Sequence, residues 1–354
     1  MSGFGVATTS GNASIAPNDC QVQGAGTDGT SSLSWSPTSN ILVASSWDGH
    51  VRCWEVAEQQ GRAQANPKAQ VNHENNAPVL DTCFSPDGST VFSVGGDKAL
   101  RMWQLGQQVT VPQQIGAHDA PIKTVGFLKS MNTVVTGGWD RKLKFWDCRS
   151  PNPVGVLDMP ERVYAMDIRD TLLVVATAGR HILVYDCNQQ PREYLRKESP
   201  LKYQTRSIAC FTDKTGFAVG SIEGRVGIHY VQKVPNKDSF AFKCHRENVN
   251  VYSVNAIAFN NHYGTFATCG SDGIINFWDK DNKQRLKGFP AIQRTILAAA
   301  FNTQGNLFAY ASSYDWSKGS MHMQPGNDIF IHPVVEEEIR PKGKTKSSSS
   351  GYRS

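Results

Sequence analysis

An all-β chain closed into a seven-bladed β-propeller is the fold this sequence predicts, and three observations predict it. Three segments superpose without gaps, SSWDGHVRCWEV, VGGDKALRMWQL and GGWDRKLKFWDC, and a fourth, CGSDGIINFWDK, joins them. In each, an Asp (Asp48, Asp97, Asp140, Asp272) stands six residues before a Trp (Trp54, Trp103, Trp146, Trp278). Apolar residues alternate between the two, which is the period of a half-buried strand. Second, degenerate copies keep the spacing: AGRHILVYDC puts Tyr185 in the Trp position, IEGRVGIHYV puts Tyr230 there, and GNDIFIHPV puts His332 there. Third, the seven anchors recur on average about every 46 residues, close to the period of a blade-forming repeat.

Each anchor strand is preceded by a second apolar run: ILVASS, TVFSVGG, TVVTGG, LLVVATA, GFAVGS, GTFATCG and LFAYASS. Before those lie the innermost runs SSLSWSP, VLDTCFSPDGS, IKTVGFLKS, VYAMDIRD, RSIACFTD, VNAIAFNNHYG and LAAAFNTQG, several ending in turn residues. With an outer strand added, each unit is a WD-repeat blade. The last blade has no chain left for its fourth strand. Cys20–Gly26, CQVQGAG, is expected to supply it, closing the ring with an N-terminal strand and covering an otherwise open edge. The propeller is expected over residues 18–339, with disordered tails at 1–17 and 340–354.

At 354 residues and 39% hydrophobic content, the chain can fill a sizeable core. No apolar run is long enough for a membrane helix. The opening MSGFGVATTSGNASIAPND lacks the basic start and apolar run of a secretory signal, so the Asn12-Ala13-Ser14 sequon is expected to be idle. The eight cysteines and nine histidines show no metal-ligand spacing; reduced thiols of a cytosolic or nuclear protein, without metal or cofactor, are expected. The net charge of +5 resides in the tail, where Arg340, Lys342, Lys344, Lys346 and Arg353 meet no acid, so any nucleic-acid reading rests on local patches.

The repeated tryptophans are read first as packing between blades. His118, Thr136, Asp140 and Trp146 are expected to form a buried hydrogen-bonded tetrad, and His73 and His245 begin similar sets. Because the set recurs from blade to blade, and no nucleophile elbow or phosphate loop accompanies it, catalysis is not expected. Trp47 and Trp139 each precede the turn Asp and have no packing duty set by the repeat. They either cover a neighbouring loop or anchor a bound peptide. The run KDNKQRLK carries Lys280, Lys283, Arg285 and Lys287, and Phe242 and Lys243 are expected nearby. This is either a solvated loop or a single-strand nucleic-acid surface, where cations meet phosphates and an aromatic meets bases. The stretch REYLRKESPLKYQTR has the same standing. Trp146-Asp147-Cys148-Arg149 fits the WDxR pattern of substrate receptors of a cullin-RING ubiquitin ligase. YASSYDWSKGSMHM lengthens the turn of the seventh blade: Asp315 stands in for the turn Asp, and Trp316 and Lys318 form a rim, a clamp or a lid over the ring closure.

The segments SWDGHVRCWEV, AHDAPIKTV, LKFWDCRSPNPV, MPERVYA, ESPLKYQ, GSIEGRVGIHY, FAFKCHRENV and SSYDWSKG together resemble the messenger RNA export factors of the nuclear pore, sisters of the spindle-checkpoint propeller. The resemblance runs from roughly residue 17 to 342. It implies a non-enzymatic, monomeric propeller paired with the GLEBS peptide of a nucleoporin, single-stranded RNA binding, and nuclear-envelope residence with shuttling to the cytoplasm. A role in mitotic spindle assembly is implied as well. It places Arg225 against acidic residues of the peptide, unless Glu223 neutralises it, beside Trp47, Trp139, Trp316 and Lys318. The alternatives are a kinetochore propeller binding a checkpoint kinase and, third, the ubiquitin-ligase receptor.

Overall fold

The computed structural model describes residues 16, 18–322 and 326–343. Seven four-stranded antiparallel sheets form the blades; the first runs Thr30–Trp35, Ile41–Ser46, His50–Gln59 and Arg62–Asn72 from the axis outward. The other inner strands are Val79–Phe84, Ile122–Leu128, Val163–Arg169, Thr205–Cys210, Val254–Phe259 and Ile296–Phe301. Each inner strand touches those of both neighbouring blades, so the ring is closed. The second strands are buried almost end to end, as in Leu172–Thr177 and Gly216–Ser221. They lie between two neighbouring sheets, and this two-sided burial is why they read as unbroken apolar runs. Most of the two tails foreseen at 1–17 and 340–354 lies outside the described residues.

Ring closure follows the expected route. Cys20, Gln21 and Val22 pair antiparallel with Ile331, Phe330 and Ile329, completing the seventh sheet from the other end of the chain. The seam is locked by a charged cluster. His332 Nδ1 lies 2.6 Å from Asp19 and its Nε2 lies 2.8 Å from Glu338 on the short helix Glu336–Ile339. Tyr310 donates its hydroxyl to the other Asp19 oxygen, Lys287 pairs with Glu338 at 3.4 Å, and Phe289 stands edge-on to the imidazole. Burial disfavours charge on His332, but the two carboxylates outweigh it and raise its pKa to about 9. The Ile339 carbonyl accepts from Thr265, and its side chain is buried.

Within the blades, strand register decides which residues occupy the anchor positions. Leu42 opposes Trp54, Val134 opposes Trp146 and Leu173 opposes Tyr185. In the fifth blade Phe217 opposes His229, which corrects the assignment of Tyr230. Glu223, not Gly224, stands in the turn-acid position, so the six-residue spacing ends on His229. Tyr230 is simply the aromatic next door.

Two tetrads are complete. His118 lies 2.9 Å from Asp140 and 2.7 Å from Thr136 Oγ1, which also accepts from Trp146 Nε1 at 2.8 Å. His245, Asp272, Thr268 and Trp278 repeat the arrangement with each contact at 2.9 Å. In the second blade His73 reaches Ser93 and Asp97, but Trp103 Nε1 has no partner among the described residues. The chain of bonds ties the loop before an inner strand to the turn between the second and third strands and to the anchor strand itself.

Two outcomes follow. Thr136→Val keeps the side-chain volume but strands both His118 Nε2 and Trp146 Nε1, and is expected to lower unfolding free energy by about 3 kcal/mol in urea titrations. For His332 the folded pKa of about 9 lies above the ordinary value of 6.5, so its contribution is full below the ordinary value and lost as pH rises through the folded one. The unfolding free energy of the native chain should fall over that window by about 3 kcal/mol at most, read by denaturant titration, whereas His332→Phe should remove this alkaline loss.

Candidate functional site

One face of the ring carries both the loops leading into the inner strands and the turns between second and third strands, as the His118–Asp140 contact requires. Every inner strand has a register shift after its first residue, which leaves one unpaired residue per blade: Ser31, Leu80, Lys123, Tyr164, Arg206, Asn255 and Leu297. These seven bulge residues ring the mouth of the central channel on that face. Arg206 of the fifth blade interacts through space with Lys123 of the third and with Asp315 of the seventh, which only a shared central opening allows. Lys123 is half-buried, and burial lowers its pKa against the pull of Asp81, whereas Arg206 is exposed in the opening, with Asp315 as its counter-charge. The buried hydroxyls of Thr124 and Thr205, next to these cations in sequence, have no partner among the described residues. At the far end of the channel Arg169 of the fourth blade reaches Asn261 of the sixth at 2.9 Å.

Large apolar side chains rim this mouth. The backbone N–H groups of Trp47, Trp139 and Ile222 donate to Gly29, Pro121 and Gln204, residues that directly precede inner strands. The three side chains therefore occupy equivalent places, and they are 46%, 37% and 41% exposed. Ile222 was not singled out from the sequence. The alignment of Ser-Ile-Glu-Gly with Ser-Trp-Asp-Gly carried its signal, masked by Glu in place of Asp. Lys123 and Arg206 were also missed, because a single bulge residue has no signature in the chain.

Arg225 is half-buried, with its Nε 3.9 Å from Glu223, too far for a hydrogen bond. Glu223 is itself buried and accepts from the Lys202 N–H. Lys243 lies opposite Arg225 across the strand pair, and Arg246 approaches the same carboxylate at 3.9 Å, so cations outnumber acids here. Trp316, 45% exposed, packs against Tyr314, and Lys318 is exposed beside it. Asp315 copies the turn Asp of the other blades in accepting from the N–H two residues on, but among the described residues it meets no His. It accepts from Ser317 of its own loop and from Ser271 of the sixth blade, and so tethers the long loop toward the mouth.

The basic run does approach the outer strand Phe240–Lys243, but two of the six residues expected on a nucleic-acid surface are buried. Phe242 is buried, its ring 4.8 Å from that of Trp278, and the expectation of an exposed stacking platform there is corrected. Its place on the outer strand turned the side chain toward the sixth blade rather than to solvent. Lys280 is likewise interior, held by Asp281 and over the Phe211 ring. Lys283 lies over Phe240, Arg285 is half-buried near Asn276, and Lys287 pairs with Glu338. Lys243 alone lies near Arg225. On the WDxR segment, Asp147 takes three hydrogen bonds from the exposed Arg149 guanidinium.

Fold and repeat define a WD-repeat β-propeller: the family description "WD domain, G-beta repeat" matches residues 19–55, 67–104, 109–147 and 237–279. "Protein Rae1" of Drosophila melanogaster is 44% identical over 341 residues, covering 92% of this chain and 96% of its own. "Poly(A)+ RNA export protein" of Schizosaccharomyces pombe is 43% identical over 97% of this chain and 99% of its own, and "mRNA export factor" of Macaca fascicularis 48% over 96% and 95%. The chain belongs to this Rae1/mRNA export factor family of WD-repeat proteins.

Because Phe242 is core, Phe242→Ala is expected to lower unfolding free energy by about 3–5 kcal/mol, read by denaturant titration.

Proposed function

We propose that this chain is a non-enzymatic adaptor in messenger RNA export, which binds the GLEBS peptide of a nucleoporin across the channel mouth at the nuclear pore. The observation that carries the reading is the ring of exposed Trp47, Trp139 and Ile222 around a mouth holding Lys123 and Arg206. Apolar anchors beside cations at fixed positions suit a peptide that alternates large apolar and acidic residues. Arg225 adds a planar donor that a carboxylate can engage at two points. Trp316 and Lys318 extend the same face. The names of the relatives, mRNA export factor and poly(A)+ RNA export protein, support the export role over the kinetochore alternative. They likewise favour a role in transport out of the nucleus; residence at its envelope with shuttling to the cytoplasm, and a role at the mitotic spindle, are further properties the resemblance implies.

Single-stranded RNA is proposed as a second ligand. Lys243 with Arg225 and Arg246, rather than the interior Lys280 and Phe242, gives it a cationic track on the peptide-bearing face. The ubiquitin-ligase role gains nothing from the geometry of Arg149, whose guanidinium is engaged by Asp147.

Calorimetry with a GLEBS peptide tests the reading. Trp47→Ala combined with Trp139→Ala, and separately Arg225→Ala, should each weaken binding at least about tenfold at an unchanged melting temperature. Labelled poly-uridine, titrated with and without the peptide, should bind in a salt-dependent way and more weakly after Lys243→Glu. Unchanged peptide affinity in both variants would overturn the proposed site.

A further inference from the structure

The anchor position of the fifth blade holds two groups that the peptide face does not use. His229 fills the place occupied by Trp in four other blades and stacks on Phe217, with ring centroids 5.2 Å apart. It is buried, and burial, reinforced by the charge of Lys197, lowers its pKa to about 4. The imidazole is therefore neutral at physiological pH. The outer strand of the fourth blade, Arg192–Glu198, brings Lys197 across the seam, with Nζ 3.1 Å from His229 Nδ1.

Lys197 differs from six lysines held by acids, and from Lys144, whose ammonium donates to the Ala117 carbonyl. Lys68, Lys142, Lys214, Lys237, Lys280 and Lys287 each stand within ion-pair distance of a carboxylate. Among the described residues Lys197 has no such partner, and the charges beside it on its own strand are engaged elsewhere, Arg196 with Glu193 and Glu198 with Arg180. Unpaired lysines such as Lys98 and Lys233 are exposed and keep their hydration, whereas Lys197 is half-buried. Its ammonium loses water without gaining a counter-charge, and burial lowers its pKa. The strand is the outermost of its blade, and Lys197 is only half-buried, so its side chain keeps access to solvent.

We propose that Lys197 is an acylation site that reacts with acyl thioesters, its amine held by His229 at the seam between the fourth and fifth blades. The Nζ lone pair attacks the thioester carbonyl, and a C–N bond forms as the C–S bond breaks. Sulfur leaves with the bonding electrons as a thiolate and takes up the proton that the amine sheds. The amide product keeps one N–H, which donates to His229 Nδ1 as before. Acylation thus removes a poorly solvated charge and retains its hydrogen bond.

The test uses the intact protein with S-acetyl-N-acetylcysteamine over the neutral-to-alkaline range, with occupancy at each lysine read by peptide mass spectrometry. Lys197 should acetylate severalfold faster than Lys233 and reach its half-maximal rate at a lower pH. A rate equal to or below that of Lys233 would overturn the proposal. Lys197→Gln, which keeps an amide donor and removes the charge, should melt at or above the native temperature; a clear drop would show that the ammonium itself is needed there.

Discussion

Closure of the ring is the constraint on which everything else in this chain depends. A blade is a small sheet with two open faces, and it is stable only between two neighbours. The seventh blade would lack its outer strand without Cys20–Val22, and the seam would lie open. His332 strengthens that join by contacting Asp19 before the N-terminal strand and Glu338 after the last one. One imidazolium therefore couples both ends of the propeller. The proposed peptide face depends on the same join: Gly29, which accepts from the Trp47 N–H, packs beside Leu297 and Ser313 of the seventh blade.

The two histidines in anchor positions show how far surroundings govern a side chain. Both are buried against aromatic rings, Phe217 for His229 and Phe289 for His332. Two carboxylates meet His332 and hold it charged; a lysine meets His229 and, with burial, holds it neutral. The same residue type thus clamps one seam by charge and leaves an uncompensated amine at another. The tetrads work differently again, for His118 and His245 act as relays between a turn Asp and a Thr that also receives the anchor indole.

The channel mouth combines features that repel water and features that need it. Trp47, Trp139 and Ile222 expose apolar area, while Lys123 is a half-buried cation and Arg206 an exposed one, and their acids lie only at longer range. A folded scaffold holds them apart at fixed positions, so a ligand meets preorganised groups rather than ordering them. The long turn of the seventh blade leans over the same opening through the Asp315–Ser271 bond, and this places Trp316 and Lys318 at the rim.

Much of the architecture was legible in the chain. Repeated Asp-to-Trp spacing, apolar runs of strand length and the missing last strand determine seven blades and an N-terminal closure, because each is a local pattern multiplied by repetition. Trp47 and Trp139 were legible for the same reason: they break the repeat at a fixed place. What only the tertiary structure decided is which side of a strand meets a neighbour. Phe242 and Lys280 read as surface from charge and composition, yet the packing of the fifth blade on the sixth turned them inward. The anchor of the fifth blade passed from Tyr230 to His229 because register, not residue type, sets the pairing. Lys123 and Arg206, 83 positions apart, share one opening only because the ring closes, and no local pattern in a sequence encodes a distance across an axis.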